Sequence, residues 1–330
     1  MRGLLWTVIW FVVLGGAAVV TGFWLRTQWD LPGPLVEARA VVVPHGGTSA
    51  AAEALKSSGV IANATAFEAL SWLTFFDGNL RAAEFNFPAK ASIADVLAIL
   101  RTAKPVEHRF TIVEGLTAKQ IAGLLAAAEA ATGPIEVPPE GSALPQTYEF
   151  ERGMTRDAIL GRARAAMDKE LTAAWTARAP NLPLASPRDM LILASIVERE
   201  TAKAEERPHV AAVYLNRLRM GMKLQADPTV AYGISGGTGA LDHKLNRADL
   251  DQDGPYNTYK RTGLPPGPIC SPGVASLRAV SRPTSSEDLY FVADGTGGHA
   301  FAKTEQAHLR NVAKWRGTQA VEPEPASSGR

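Results

Sequence analysis

The fold is decided most clearly by residues 186–201, which read SPRDMLILASIVERET. Ser186 belongs to the residue types that cap helix N-termini, Pro187 suits the first helical position, and Asp189 can complete a capping box. Residues 190–197 are apolar almost all round, so we expect this helix to be buried. The sequence therefore predicts a core helix that carries a carboxyl group, that of Glu198, at its C-terminal end.

The position of Glu198 allows two interpretations of its carboxyl group. At the edge of an apolar helix the group is partly desolvated, and desolvation raises the pKa of a carboxyl. The general acid of a glycosidase needs a raised pKa, because it must hold its proton near neutral pH. Alternatively, Glu198 begins the solvated end of the helix and pairs with Arg199 or Lys203. The helix alone favours this second interpretation, so the choice depends on the segments that follow.

The next two segments carry polar residues that could contact a ligand. Residues 205–221 predict a second helix, which Gly221 ends, and residues 222–229 read MKLQADPT. Asp227 precedes a proline, so a role as helix N-cap explains it as well as ligand binding does. The candidate ligand-binding residues of these segments are Asn216, Arg217, Gln225 and Asp227.

Residues 254–269 are rich in proline and glycine, which predicts a rigid loop and not a helix or strand. Tyr256, Asn257 and Tyr259 lie in this loop. They offer aromatic faces and an amide group, which together suit the binding of sugars. As composition alone this signal is weak, because a surface turn explains the same residues.

The N-terminus contains a long uncharged stretch, from Leu4 to Leu25. A helix of this length can cross a hydrocarbon core of about 30 Å. Arg2 and the amino terminus precede the stretch, which favours a cytoplasmic N-terminus. A cleaved signal peptide is the alternative, but its apolar core would be shorter, and the residues after Leu25 make a poor cleavage site. Both alternatives place the rest of the chain outside the cytoplasm.

The segment after the anchor is predicted as a short linker followed by a small module, residues 40–104. A strand at residues 40–43, two helices and a strand near Phe85 are followed by a helix that Ser92 caps. This order resembles a LysM-like module, which grips glycan chains in cell walls. A small structural spacer is the alternative.

The middle and the C-terminal part of the chain predict both helices and strands. Residues 108–113 alternate as a strand does, and an alanine-rich helix follows to about Ala131. One long helix is predicted from Thr155 to about Ala179, and residues 289–301 predict a hairpin. A helix to about Trp315 closes the folded part, and the tail from Thr318 is predicted to be disordered.

Composition excludes several classes of protein. The formal net charge is +1, so the chain has no overall basic field for nucleic acid. Hydrophobic residues make up 46% of the chain, enough for sizeable cores. The single cysteine, Cys270, predicts a small buried side chain and allows no intrachain disulfide. The histidines show no zinc-binding spacing, so we expect no metal site.

Several of these segments together resemble the YceG-like group of endolytic murein transglycosylases. The similar blocks, in order, are LASIVERET (193–201), residues 206–207, NRL (216–218), MKLQADPTV (222–230), YNTY (256–259), GLPPGPI (263–269) and LYFVA (289–293). So many separate blocks in one order make a specific signal. The chain differs at Gln146, where the family usually has an acidic residue, so a charge-based role of that position is in doubt.

The resemblance implies a lyase that cuts the β-1,4 bond between N-acetylmuramic acid and N-acetylglucosamine in peptidoglycan strands. Glu198 falls on the family's catalytic glutamate, and no cofactor is required. The resemblance further implies a single-pass protein of the cytoplasmic membrane whose catalytic domain lies on the outer face. Its expected partners are glycan strands, the membrane and peptidoglycan synthases, and nucleic acid is not among them. Termination of nascent strand elongation is the expected role.

The expected fold class is α+β, with an N-terminal transmembrane helix, a LysM-like module and a helix-rich catalytic domain. The expected regions are a stub and membrane helix (1–25), a linker (26–39), the LysM-like module (40–104), a connecting α+β region (105–184), the catalytic domain (185–317) and a disordered tail (318–330). A hydrolytic muramidase is the nearest alternative function. A wall-binding scaffold without catalysis is the alternative of a different class.

Overall fold

The computed structural model describes residues 2–319, and the side chains of residues 6–317. These residues form a mixed α+β protein, as predicted. The helices are α1 (Arg2–Asp30), α2 (Gly47–Ser57), α3 (Ala64–Leu73), α4 (Ile93–Thr102), α5 (Ala118–Ala126), α6 (Arg156–Thr176), α7 (Pro187–Glu200), α8 (Arg207–Arg219), α9 (Asp227–Ile234), α10 (Arg247–Asp251), α11 (Val274–Ser281) and α12 (Glu305–Gln319). The strands are β1 (Arg39–Val42), β2 (Glu84–Phe87), β3 (Glu107–Thr111), β4 (Thr147–Glu151), β5 (Tyr290–Ala293) and β6 (His299–Ala302).

Each strand pairs with one other strand, so the described part of the chain contains three two-stranded sheets, β1–β2, β3–β4 and β5–β6. The chain divides into two compact units. The first unit comprises residues 1–108 with 149–153, and the second comprises residues 109–148 with 154–330. Most of the predicted disordered tail, residues 320–330, lies outside the described residues.

Helix α1 is long and apolar enough to cross a membrane. It continues to Asp30, five residues past the predicted end at Leu25, so the expected linker begins as helix. The buried side chain of Leu25 belongs to the core of the first unit, and Trp29 packs against that core. The end of α1 is therefore part of the folded first unit.

The first unit is built around a sheet that α2, α3 and α4 cover. Strands β1 and β2 run antiparallel, with Arg39 opposite Phe87. Phe67, Phe85 and Phe87 are fully buried in the core. Ser92 caps α4 as predicted, because its hydroxyl accepts the Asp95 amide and the Asp95 carboxylate accepts the Ser92 amide.

The core of the second unit is centred on α7, which packs against α6, α8, α9 and α11. The predicted capping box is present: Ser186 Oγ accepts the Asp189 amide at 3.2 Å, and the Asp189 carboxylate accepts the Ser186 amide at 3.2 Å. Residues 192–198 of this helix are all buried. The sequence thus predicted both the start of α7 and its burial.

Other elements differ from the prediction. Helix α5 ends at Ala126 and not at about Ala131. The side chain of Arg156 donates to the carbonyl oxygens of Leu125, Ala126 and Ala128, and these bonds fix the end of the helix. Strand β4 and helix α11 were not predicted. Helix α11 belongs to the second unit, whereas residues 147–148 of β4 are assigned to the second unit and residues 149–151 to the first.

Candidate active site

The site is built where the proline- and glycine-rich loop meets α7. Ser195 Oγ accepts the Ile269 amide at 3.0 Å, and the Cys270 thiol donates to the Ser195 carbonyl at 3.3 Å. Cys270 is fully buried, as predicted for a small apolar side chain. The loop is therefore fixed to the helix one turn before Glu198.

The same loop is paired with the segment that follows β3. The Ser271 amide donates to the Leu116 carbonyl at 2.8 Å, and the Gly115 amide donates to the Ser271 carbonyl at 3.0 Å. These two hydrogen bonds place Glu114 beside the start of α11. Two segments far apart in sequence thus meet at the end of α7.

The Glu198 carboxylate lies at the centre of this arrangement, and its side chain is only 3% exposed. One oxygen, Oε1, accepts from Arg207 Nη2 at 2.7 Å, and the other, Oε2, accepts the Gly273 amide at 2.8 Å. Gly273 is the N-cap of α11, so the carboxylate lies at a helix N-terminus. The alternative partners Arg199 and Lys203 are not bound to Glu198, because Arg199 extends toward the carbonyl oxygens of Gly115 and Gly239.

The groups around Glu198 shift the pKa of its carboxyl in opposite directions. Burial raises the pKa of its carboxyl and is the largest cause. The Gly273 amide, the Ser276 hydroxyl and Arg207 favour the ionised form and lower the pKa, whereas the negative charge of Glu114 raises it. The net result is a raised pKa, which is what a general acid requires.

Glu140 is a second enclosed carboxyl group in the same unit. It accepts the Ala118 amide at 2.8 Å and the Tyr232 hydroxyl at 3.0 Å. Burial is the main reason that the pKa of Glu140 is raised. The Tyr232 ring lies 4.9 Å from the ring of Tyr256, so the loop tyrosine and this carboxyl form one cluster.

Three of the predicted substrate-binding residues direct their polar groups to the main chain. The Asn216 amide donates to the carbonyls of Ser286 and Asp288, and the Asn257 amide donates to those of Leu250 and Gln252. Arg217 is buried and donates to the carbonyls of Leu289 and Leu224, both at 2.6 Å. In this structure these side chains hold loops in place.

The remaining predicted residues leave more of their surface free. Gln225 is exposed and adopts a left-handed backbone conformation, with φ at 52°. Asp227 is also exposed, and the Tyr259 hydroxyl donates to its carboxylate at 2.5 Å. Of the two interpretations of Asp227, the one in which it caps a helix is wrong. The N-cap is Ala226, whose amide is fixed by the Thr258 hydroxyl, so the helix begins one residue earlier.

Sequence reasoning did not single out Arg207, Glu114 or Gly273 as site residues. Glu114 and Gly115 come shortly after β3, and a polar residue with a glycine after a strand is a weak indication of a functional site. Gly273 gave no local signal, and Arg207 appeared only within the family-like block 206–207, since the role of both residues depends on long-range packing. Within residues 6–317, no three His, Cys, Asp or Glu side chains are grouped as metal ligands would be.

Comparison with known proteins identifies the family of the chain. Residues 41–314 match the YceG-like family. An endolytic murein transglycosylase from Streptococcus pneumoniae is 37% identical over 182 residues, 53% of this chain and 32% of the relative. The endolytic murein transglycosylase of Bacillus subtilis is 34% identical over 181 residues, 55% of this chain and 49% of the relative. The matched part thus spans about a third to a half of the length of these curated relatives.

A solved structure gives the same result for the fold. The crystal structure of a yceG-like protein from Listeria monocytogenes aligns with a TM-score of 0.53 at 29% sequence identity. The alignment covers 83% of this chain and 99% of that one. Together with the family match over residues 41–314, this shows that the chain belongs to the YceG-like family.

Proposed function

We propose that this protein is an endolytic peptidoglycan lytic transglycosylase, and that Glu198 is its catalytic acid and base. The observation that carries the proposal is the buried Glu198 carboxyl group with a raised pKa at the N-terminus of α11. The names of the two curated relatives, both endolytic murein transglycosylases, support the same substrate and reaction.

In the proposed reaction, the Glu198 carboxyl gives its proton to the oxygen that bridges N-acetylmuramic acid and N-acetylglucosamine. The bond from this oxygen to the muramic C1 breaks, which leaves oxocarbenium character at C1. The Glu198 carboxylate then takes the proton of the muramic C6 hydroxyl, and the hydroxyl oxygen bonds to C1. The products are a free N-acetylglucosamine hydroxyl and a 1,6-anhydro end.

One carboxyl group can serve in both steps because the nucleophile is part of the substrate. An internal hydroxyl has a high effective concentration, so no second group is required to activate water. Arg207 and the Gly273 amide both bind Glu198, and they would stabilise the carboxylate formed in the first step.

We propose that some of the predicted substrate-binding residues contact the sugar and that others hold the loops of the site in place. The Tyr256 ring would support a sugar face, and Gln225, Asp227 and Tyr259 would bind polar sugar groups. These positions are exposed or half-buried. Asn216, Arg217 and Asn257 would act through the loops that they hold.

We propose that the first unit is a LysM-like module that binds glycan strands. A groove of about 1080 Å³ in this unit supports the proposal, because aromatic residues and polar groups line it together. Trp72 and Phe75 offer exposed faces there, and His45, Asn79 and Arg81 lie along the same groove. Trp72→Ala should weaken binding of the full-length protein to glycan strands, measured by co-sedimentation with purified sacculi. Unchanged binding would reject this role.

We further propose that α1 anchors the protein in the cytoplasmic membrane, with the N-terminus inside. The two folded units would then lie on the outer face, near the peptidoglycan synthases, where the enzyme would end the growth of nascent strands. The length and apolar character of α1 support the anchor, and Arg2 before it supports the orientation. Protease digestion of intact and permeabilised spheroplasts tests this topology.

The test of the catalytic proposal is Glu198→Gln in the full-length protein. The variant should release no anhydro-ended fragments from purified peptidoglycan, because an amide cannot donate the required proton. Glu205→Gln, an exposed position in the same region, is the matched control and should retain activity. Fragment release by Glu198→Gln at the wild-type rate would reject the assignment.

A hydrolytic muramidase is the second candidate function. The half-exposed Glu114 carboxylate beside the site favours hydrolysis, because glycosidases that use water normally have two catalytic carboxyl groups. The products distinguish the two reactions, because hydrolysis adds one water to each cut and anhydro closure adds none.

A further inference from the structure

Two carboxylates in the second unit share one arginine. Arg207 Nη2 lies 2.7 Å from Glu198 Oε1 and 3.4 Å from Glu114 Oε2. The side chain of Glu198 is 3% exposed, whereas that of Glu114 is 45% exposed. Arg207 therefore faces a buried acid on one side and an accessible carboxylate on the other.

The arginine is not held by a full set of hydrogen bonds. Its Nε–H is buried and has no partner among the described residues. Both of its ion pairs run through the single nitrogen Nη2. A guanidinium that is held in this way can shift between the two carboxylates without losing a forked, two-nitrogen contact.

The Glu114 carboxylate packs directly against the backbone of Gly273. A Cβ atom added to Gly273 would lie 1.8 Å from Glu114 Oε1. Gly273 has φ at −76°, an ordinary value that any residue adopts, so its backbone conformation does not require glycine. The space that a side chain would occupy is filled by Glu114.

We propose that Glu114 is a positioning residue of the reaction: it draws Arg207 from Glu198, and so keeps Glu198 protonated until the glycan is bound. This inference rests on the proposed function. An arginine paired with Glu198 alone would favour the carboxylate, which cannot donate a proton. Competition by Glu114 weakens that pairing before the first proton transfer.

The same arrangement suits the second half of the reaction. Once Glu198 has given up its proton, the two carboxylates and Arg207 carry a net charge of −1, opposite to the positive charge that develops at C1. Without Glu114, the Glu198–Arg207 pair would be neutral.

The other groups around Glu198 do not replace Glu114. Arg199 of the same helix binds main-chain carbonyls, and the Cys270 thiol is neutral because burial raises its pKa. From α11 the Gly273 amide and the Ser276 hydroxyl act on Glu198, and neither group carries a charge. Among the described residues, Glu114 is the carboxylate that pairs with Arg207 beside Glu198.

The test is the pH dependence of kcat/KM for fragment release by the full-length protein, by three variants that alter Glu114 or its surroundings, and by one control variant. Activity requires protonated Glu198, so it falls as the pH rises through the pKa of that group. In Glu114→Gln the lost negative charge should move this alkaline limb to lower pH. Glu114→Asp keeps the charge and should restore the limb toward its wild-type position.

Gly273→Ala provides a third variant, which leaves Glu114 itself unchanged. Its methyl group would push the flexible Glu114 carboxylate away from Arg207, so the alkaline limb should move in the same direction. Because only the end of one side chain must shift, we expect this variant to fold. Glu129→Gln, an exposed glutamate of the same unit, is the matched control and should keep the wild-type profile.

The possible outcomes are distinguishable. A shifted limb in both Glu114→Gln and Gly273→Ala, with recovery in Glu114→Asp, supports the positioning role. If the wild type is active and both variants lose rate equally at all pH values, Glu114 is merely structural and the inference is wrong. If the wild type releases no fragments, the proposed function fails and this inference fails with it.

Discussion

At the scale of single residues, helix α7 carries a second carboxyl group with a shifted pKa, that of Glu200. Its Oε1 accepts the hydroxyl of the buried Tyr214 at 2.6 Å. Burial is the largest cause that raises the pKa of Glu200 to about 7, and the nearby negative charge of Asp227 adds to the shift. Arg217 and the Tyr214 hydrogen bond oppose it.

This pKa predicts how the stability of the protein depends on pH. The folded protein holds the Glu200 proton more tightly than the unfolded chain, whose carboxyl has a pKa of about 4.5. The free energy of unfolding should therefore fall as the pH rises from about 4.5 through about 7. Glu200→Gln removes this penalty and keeps an oxygen that accepts the Tyr214 hydroxyl.

We expect the Tm of Glu200→Gln to equal that of the wild type at a pH below 4.5 and to exceed it above pH 7. Thermal unfolding followed by circular dichroism at a series of pH values measures the difference. A variant that is less stable than the wild type above pH 7 would show that ionised Glu200 stabilises the fold.

The candidate site shows which residues a sequence can reveal. Glu198 was a candidate because it ends an apolar helix, but the helix alone favoured a solvated side chain, and the segments that follow it in sequence were needed to favour catalysis. The amide that binds it comes from Gly273, 75 residues along the chain. Nothing near Gly273 or Arg207 in the sequence indicates such a contact, since only packing brings them together.

At the scale of secondary structure, helix α7 and the proline- and glycine-rich loop act as one element. The Ser195 hydroxyl donates to the Ile192 carbonyl and accepts the buried Ile269 amide. These bonds fix the loop that continues to Gly273, and therefore the amide that binds Glu198.

Ser195→Ala should lower the free energy of unfolding by about 1–3 kcal/mol, because the Ile269 amide is left buried without an acceptor. It should also lower kcat, because the loop becomes less firmly placed. Chemical denaturation and fragment release measure the two effects. Ser57→Ala, at an exposed hydroxyl of the first unit, is the control. Wild-type values of both quantities in Ser195→Ala would contradict the coupling.

Elements that are defined by local interactions were predicted from the sequence, whereas elements that depend on distant residues were not. Helix α7 was predicted because its cap and its apolar run are local, and the hairpin of β5 and β6 was predicted from alternation and glycines. The end of α5 could not be predicted, because Arg156 determines it from another helix. Helix α11 has only eight residues and follows a proline and a glycine, so no local pattern marked it.

At the scale of the whole molecule, the N-terminal helix is both a candidate anchor and a structural part of the first unit. Leu25 is buried in the core of that unit, and Trp29 packs on it. A chain that begins at residue 24 keeps both contacts, whereas one that begins at residue 31 loses them.

We expect the shorter chain to have a less stable first unit. Burial of a leucine side chain contributes about 1.5–3 kcal/mol, so the loss of both residues should lower the unfolding midpoint of this unit. Limited proteolysis and calorimetry of the two truncated chains measure the difference. Equal midpoints would show that the end of α1 contributes nothing to the fold.

The central claim is that one buried carboxyl group cuts glycan strands without adding water. Mass spectrometry of the fragments that the full-length protein releases from purified peptidoglycan tests it most directly. We predict fragments with 1,6-anhydro-muramic ends, which are one water lighter than hydrolysed ends, and no such fragments from Glu198→Gln. Fragments with reducing muramic ends would contradict it and identify a hydrolase.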